Sequence, residues 1–203
     1  GMDATMPVKL AIIYYSSTGT NYKLAQTAAE AAREAGAEVR LRKVQELAPA
    51  EAIASNPAWK AHVEATRDIP VATTDDIVWA DAILFSTPTR YGNIAGRLKV
   101  FLDSLGAQWA TGQLADKVYA GFTSSQTLHG GQETTLLALY NTVIHFGGIL
   151  VTPGYTDGSK FVDGNPYGVS HVTGPGNDIP VGDVTNTALD HLVTRTISIS
   201  RRL

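Results

Sequence analysis

The chain has 203 residues, 44% of them hydrophobic and 17% charged, a balance that provides a globular core and excludes a disordered or fibrous chain. Its formal net charge of −3 argues against a general nucleic-acid binder, which needs a basic face to neutralise phosphates. With no cysteine there is no disulfide, no thiolate metal site and no cysteine nucleophile.

At the N-terminus Gly1 ahead of Met2 reads as a cloning remnant, and "MDATMPVK" has neither the basic start nor the apolar core of a signal peptide. Apolar runs such as "LAIIYY" and "DAILF" fall far short of the ~20 residues a membrane span needs. The expected location is therefore the cytoplasm, with no membrane span.

The first predicted strand is 8–15, "VKLAIIYY", followed by "SSTGTN" and by a helix over 21–35 that Gly36 stops. Ser or Thr at a helix start is ordinarily an N-cap, and one such residue suffices. Here Ser16, Ser17, Thr18, Thr20 and Asn21 surround Gly19, a pattern closer to a cradle for an anion at a helix N-terminus. The loop has no lysine after a second glycine, so it is not a Walker A loop, and its lone glycine is not a dinucleotide fingerprint.

A second strand is predicted over 38–44, "EVRLRKV". The segment at about 45–80 exceeds a simple crossover and reads as an insertion with its own short helix; in it Trp59 is expected in the insertion core or at a subunit contact. Asp75 and Asp76 open "DDIVWA" as helix caps rather than as a catalytic pair. Strands follow at 82–87, 117–123 and 148–152, with helices over 93–105, 132–146 (stopped by Gly147) and 184–200. Strands alternating with longer amphipathic segments predict βαβ units and a parallel sheet, and their continuous apolar character fits cover on both faces. The stretch at about 153–183, dense in Gly, Pro, Asn and Asp, reads as irregular loop. The whole of 1–203 is expected to form one domain.

In an open parallel sheet ligands bind beyond the carboxyl ends of the strands. Three consecutive ends carry hydroxyls, amides and glycine: "SSTGTN", "TPTRYGN" (87–93) and "TSSQTLHGG" (123–131). Together they suit a phosphate monoester joined to something flat. The five histidines show no metal spacing, so no metal is expected, and no G-x-S-x-G accompanies "LHGGQ" to supply an esterase nucleophile.

The strand–"SSTGTN"–helix opening resembles flavodoxin-like FMN proteins. "TPTRYGN", then "FLDSLGAQWATGQLADK" and "GGQETTLLALYNTVIHFGGILV", are similar to the WrbA family of NAD(P)H:quinone oxidoreductases, over about residues 8–176. The resemblance implies a flavodoxin-like, doubly wound five-stranded parallel sheet with helices on both faces and family-type insertions. It also implies bound FMN, NADH or NADPH as electron donor, a quinone substrate and a homotetramer. Carried over by position, Ser16, Ser17, Thr18, Gly19, Thr20 and Asn21 hold the FMN phosphate. Pro88, Thr89, Arg90, Tyr91, Gly92 and Asn93 lie along the ring, and Ser125, Gln126, Thr127, Leu128, His129 and Gly130 flank its other edge and the ribityl chain. Trp109 matches a pocket wall for substrate and His145 a histidine near the flavin; His145 and Tyr91 are the candidates to protonate an outgoing quinol. Three departures stand out: Thr18, where the family often has an aromatic tied to nicotinamide placement; Thr20, where it often has histidine; and "QTLH" in the fourth-strand loop, where it commonly has Thr/Gly-rich sequence, so that Leu128 and His129 reshape the pocket. The implied reaction is a ping-pong two-electron transfer from NAD(P)H to quinone; the alternatives are a flavodoxin-like carrier of single electrons and a regulatory protein stabilised by its flavin.

Overall fold

The computed structural model describes residues 6–203. Strands β1 (Lys9–Tyr14), β2 (Glu38–Lys43), β3 (Ala82–Pro88), β4 (Val118–Ser125) and β5 (Ile149–Leu150) form a parallel sheet in the order β2-β1-β3-β4-β5. Side chains alternate between faces of a strand. Leu10, Ile12 and Leu84 therefore pack beneath helices α1 (Thr20–Glu34) and α9 (Asp183–Arg201), while Ile13, Ile83 and Phe85 meet α5 (Gly96–Asp103) and α7 (Gln132–Phe146) on the other face. Both faces are covered, and the sheet is the doubly wound, flavodoxin-like arrangement.

The insertion holds α2 (Ala50–Ala54) and α3 (Pro57–Ala65), with α4 (Thr74–Trp79) completing the crossover. Asp76 does cap α4: its carboxylate accepts from the Thr73 N–H at 2.8 Å, and it also binds Arg40 and Arg42 of β2. The helix expected over 93–105 is α5, which ends at Asp103; after Ser104 the chain makes one more turn, α6 (Gly106–Ala110), to which the sequence reading assigned no helix.

The stretch 153–183 is more ordered than its composition suggests. It contains α8 (Ser159–Asp163) and a sixth strand, β6 (Val169–Val172). β5 pairs with Val118 and Tyr119, and β6 with Phe122 to Ser125, so the two lie end to end on one edge of β4. The edge strand is interrupted by residues 151–168 and resumes beside the carboxyl ends of β3 and β4. "VSHV" gave no strand signal because only Val169 and His171 turn inward and its flanks are rich in glycine and asparagine.

A candidate flavin site at the strand ends

The first loop is built around an uncapped helix. Gly19 occupies the N-cap of α1 at φ 109°, and no side chain caps the helix in spite of the hydroxyls around it. The first helical bond runs from the Lys23 N–H to the Gly19 carbonyl, so the N–H groups of residues 20–22 have no acceptor four residues back. The only backbone N–H of the loop tied to a loop hydroxyl is that of Gly19, which donates to Ser16 Oγ at 3.1 Å. Free donors and the positive end of a helix of 15 residues are what a phosphate monoester requires. Asn21 is different in kind: its side chain is buried, donating to Ser86 Oγ at 3.1 Å and accepting from Ser124 Oγ at 2.6 Å. It ties the loop to β3 and β4, and leaves only its backbone N–H for a ligand.

The second loop is a tight turn. Arg90 and Asn93 exchange backbone hydrogen bonds at 2.8 and 3.1 Å, with Tyr91 (φ 57°) and Gly92 (φ 77°) both left-handed between them. Such a turn matches a primed hairpin type, which glycine readily adopts and tyrosine does not. The Tyr91 ring is fully exposed at its tip. Thr89 anchors the turn below: its N–H donates to the Ser124 carbonyl, and its hydroxyl accepts from the Gly92 N–H and pairs with Thr135. Pro88 ends β3 beside Ser124.

The third loop is held from beneath by a buried relay. Asn165 donates to Ser170, Ser170 to Gln132, Gln132 to Ser125, and Ser125 to the Thr127 carbonyl, with every distance between 2.7 and 3.0 Å. Above this relay Gln126, Thr127, Leu128 and His129 are exposed, and Gly130 closes the turn onto the Thr127 carbonyl.

Between the second and third loops opens a cavity of 440 Å³, bordered by Ser17, Pro88 to Tyr91, Ser124 to Thr127 and Gly130. That volume falls within the range of small-molecule sites. Its fourth wall, Thr173 and Asn177, comes from the segment after β6, and Asn177 reaches across to Thr18 Oγ1 at 3.4 Å. The sequence reading assigned these two residues no role. The available signal was the glycine- and asparagine-rich "TGPGND", which marked a loop without showing that β6 delivers it to the site.

Trp109 and His145 are brought together, but elsewhere. The Trp109 indole N–H donates to the His145 carbonyl at 2.7 Å. His145 lies in the last turn of α7, about 20 Å along the helix axis from the end that abuts the third loop. Both residues sit by the amino ends of the strands, so within one chain they do not reach the cavity. Among the described residues no group of three or more metal-binding side chains occurs.

A carboxylate braces the insertion against the first loop. Glu46 accepts from the Tyr15 hydroxyl at 2.7 Å, the Trp59 indole at 3.1 Å and Arg97 Nε at 3.2 Å, and from the N–H groups of Leu47 and Ala48. Burial raises its pKa, but the bonds from Tyr15, Ala48 and Trp59 and the Arg97 charge outweigh burial and hold it below 4.5. A depressed carboxylate stabilises the fold above its unfolded pKa and loses that contribution as pH falls through the folded value. Glu46→Gln is therefore expected to lower stability by ~1 kcal/mol at pH 7, a figure kept small because the site is partly solvated. Urea midpoints should show the difference from the parent protein shrinking below about pH 4.5.

Residues 8–159 match the family described as NADPH-dependent FMN reductase. The chain is 50% identical over 200 residues to an NAD(P)H dehydrogenase (quinone) of Deinococcus radiodurans, covering 98% of each. It is 42% identical over 174 residues to a protein of the same name in Syntrophobacter fumaroxidans, covering 83% of this chain and 85% of that one. A flavodoxin, WrbA-like protein of Agrobacterium tumefaciens superposes with a TM-score of 0.67 at 23% identity, over 96% of this chain and 98% of its own. At that identity the superposition speaks to the fold alone.

Proposed function

The chain belongs to the NADPH-dependent FMN reductase family, and on that premise we propose that it is an NAD(P)H:quinone oxidoreductase of the WrbA kind. It is a flavin-dependent enzyme that takes electrons from NAD(P)H; the quinone acceptor and the order of events are the proposal. The single observation that carries the reading is the uncapped N-terminus of α1 beside the 440 Å³ cavity.

The residues fit FMN by their chemistry. The hydroxyls of Ser16, Ser17, Thr18 and Thr20 and the free N–H groups of Thr20, Asn21 and Tyr22 would hold its phosphate, with Gly19 shaping the turn before them. Pro88 to Asn93 and Ser125 to Gly130 would hold the ring between two walls, with the Arg90 guanidinium at an edge of the same cavity. Bound FMN supplies the two-electron exchange between nicotinamide and quinone. Tyr91, exposed and bordering the cavity, would hold or deliver a proton for the departing quinol. Trp109 and His145 can serve a cavity only from another copy of the chain, which agrees with a homotetramer in which one copy's α6 and α7 complete its neighbour's site. Thr18, 3.4 Å from the Asn177 amide, stands where the family often has an aromatic residue and would change how the nicotinamide is placed. The proposal includes a cytoplasmic location and residues 1–203 as one domain.

Because donor and acceptor use one cavity, the first product must leave before quinone enters. Double-reciprocal plots at several quinone concentrations are expected to be parallel, and intersecting lines would overturn the shared cavity. The test begins anaerobically: FMN-loaded protein should lose its visible flavin absorbance on adding NADH or NADPH and regain it on adding a quinone. Protein that stays oxidised with both nicotinamides would overturn the reading.

A further inference from the structure

The Ser16–Asn21 loop contains no lysine, arginine or histidine, so a phosphate there would lie on neutral donors. The insertion supplies an ionisable ring from outside. His62 on α3 places Nδ1 3.6 Å from the point where a Cβ on Gly19 would stand, with no other atom beyond the immediate chain neighbours within 4 Å of that point. Its ring meets Tyr22 of α1 at 5.8 Å between centroids, tilted by 54°, and is half-buried there. It also borders a small cavity of 130 Å³ with Tyr14, Tyr15 and Ser16 at the end of β1 and Lys43 and Glu46 from β2 and its exit. The loop's other cationic neighbours are Lys23, exposed on the first turn of α1, and Arg90 and Arg97, which border a cavity with Ser17 and Thr18; lysine and arginine carry a fixed charge across the neutral pH range, whereas histidine does not.

We propose that His62 is the titratable cation of the phosphate cradle, taking up a proton from solvent when the FMN phosphate binds the loop and so coupling cofactor affinity to pH. The inference rests on reading residues 16–21 as the phosphate site. Without phosphate, the groups around the ring favour its neutral form: burial lowers its pKa first and the Lys43 charge second, against smaller opposite effects of Glu46 and the Ser16 backbone. A dianion beyond Gly19 reverses that balance, since an opposite charge favours the protonated ring. Linkage is reciprocal, so the factor by which phosphate strengthens proton binding is the factor by which the proton strengthens FMN binding. The sign follows: affinity is greatest below the pKa of the free ring, falls as pH rises toward the pKa of the bound state, and is constant above it.

Replacing the ring separates this from packing. Titrating FMN and riboflavin by fluorescence quenching between about pH 6 and pH 9 isolates the phosphate, because riboflavin lacks it. The parent protein is expected to lose about tenfold of its preference for FMN over that range for each unit by which phosphate raises His62. His62→Gln should lack this fall, and His62→Arg, whose charge is fixed, should keep the preference high throughout. The phosphate's own ionisation near pH 6 acts on all three proteins alike and cancels in their ratios. Calorimetry in buffers of different ionisation enthalpy should show proton uptake near neutral pH in the parent and less in His62→Gln. Parallel preference curves for the parent and His62→Gln would overturn the role of His62 while leaving the cradle in place, as would equal losses of FMN and riboflavin affinity in the variant. A parent protein with no preference for FMN over riboflavin at any pH would overturn both.

Discussion

Replacing Gly131 with alanine is expected to destabilise the fold by about 3 kcal/mol or more, the sum of backbone strain and overpacking, and to weaken FMN binding at least tenfold. Gly131 is the N-cap of α7 at φ 86°, a conformation an L side chain rarely adopts. A Cβ there would stand 2.6 Å from the Cα and 3.2 Å from the N of Gly92, both backbone atoms of the second strand-end loop. Neither can rotate away, so the third loop must retreat from the second, and the cavity between them changes shape. A Cβ on Gly92 would meet the Thr134 hydroxyl instead, at 2.9 Å, and a hydroxyl can turn aside; strain alone then makes Gly92→Ala the milder change. Gly158 provides the control. It has φ −57° and nothing within 4 Å of an added Cβ, so Gly158→Ala should be neutral or stabilising by up to ~1 kcal/mol. Chemical-denaturation midpoints and FMN quenching for the three variants check the ordering. A Gly131→Ala protein that binds FMN like its parent would mean that the contact between the two loops does not shape the site.

These glycines also show where the sequence stops being informative. The strands β1, β3 and β4 were legible because their apolar runs have no polar face, which only a doubly covered sheet explains. The clustering of "SSTGTN", "TPTRYGN" and "TSSQTLHGG" followed from topology, since parallel strands deliver their exits to one edge. What each side chain does there was less accessible. Asn21 reads like its hydroxyl neighbours, yet its amide is spent on Ser86 and Ser124, a choice set by strands more than 60 residues away. Trp109 and His145 sit in motifs that adjoin the site in sequence, but helical rise carries both to the opposite end of the sheet. His62 and Glu46 belong to the insertion, whose packing against β1 and α1 has no local signature, and β6 was hidden because an edge strand split by 151–168 leaves only a four-residue piece on the site side.

That piece is held by the second large effect. Lys160 is fully buried on α8, its ammonium donating to Asp163 Oδ2 at 2.6 Å and to the Gly168 carbonyl at 2.8 Å, immediately before β6. Lys160→Ala leaves the Asp163 carboxylate, itself 3% exposed, without its partner. Breaking a buried pair from one side typically costs about 3–5 kcal/mol, because the remaining charge has neither water nor counter-ion. The loss should spread to the site, since β6 carries Thr173 and Asn177 to the cavity wall, and FMN affinity is expected to fall with stability. The pair itself need not be stabilising. Asp163 Oδ1 and Ser159 Oγ have no hydrogen-bond partner, so desolvation there is incompletely offset. The double variant Lys160→Met with Asp163→Leu is accordingly expected to recover most of the single variant's loss, as paired apolar replacements of buried ion pairs often do. Denaturant midpoints of the two variants decide it. Recovery of stability without recovery of FMN affinity would show that the Gly168 bond, which methionine cannot make, positions β6. Recovery of both would show that the clamp works by excluding an unpaired charge, and that β4 alone holds the register of its edge.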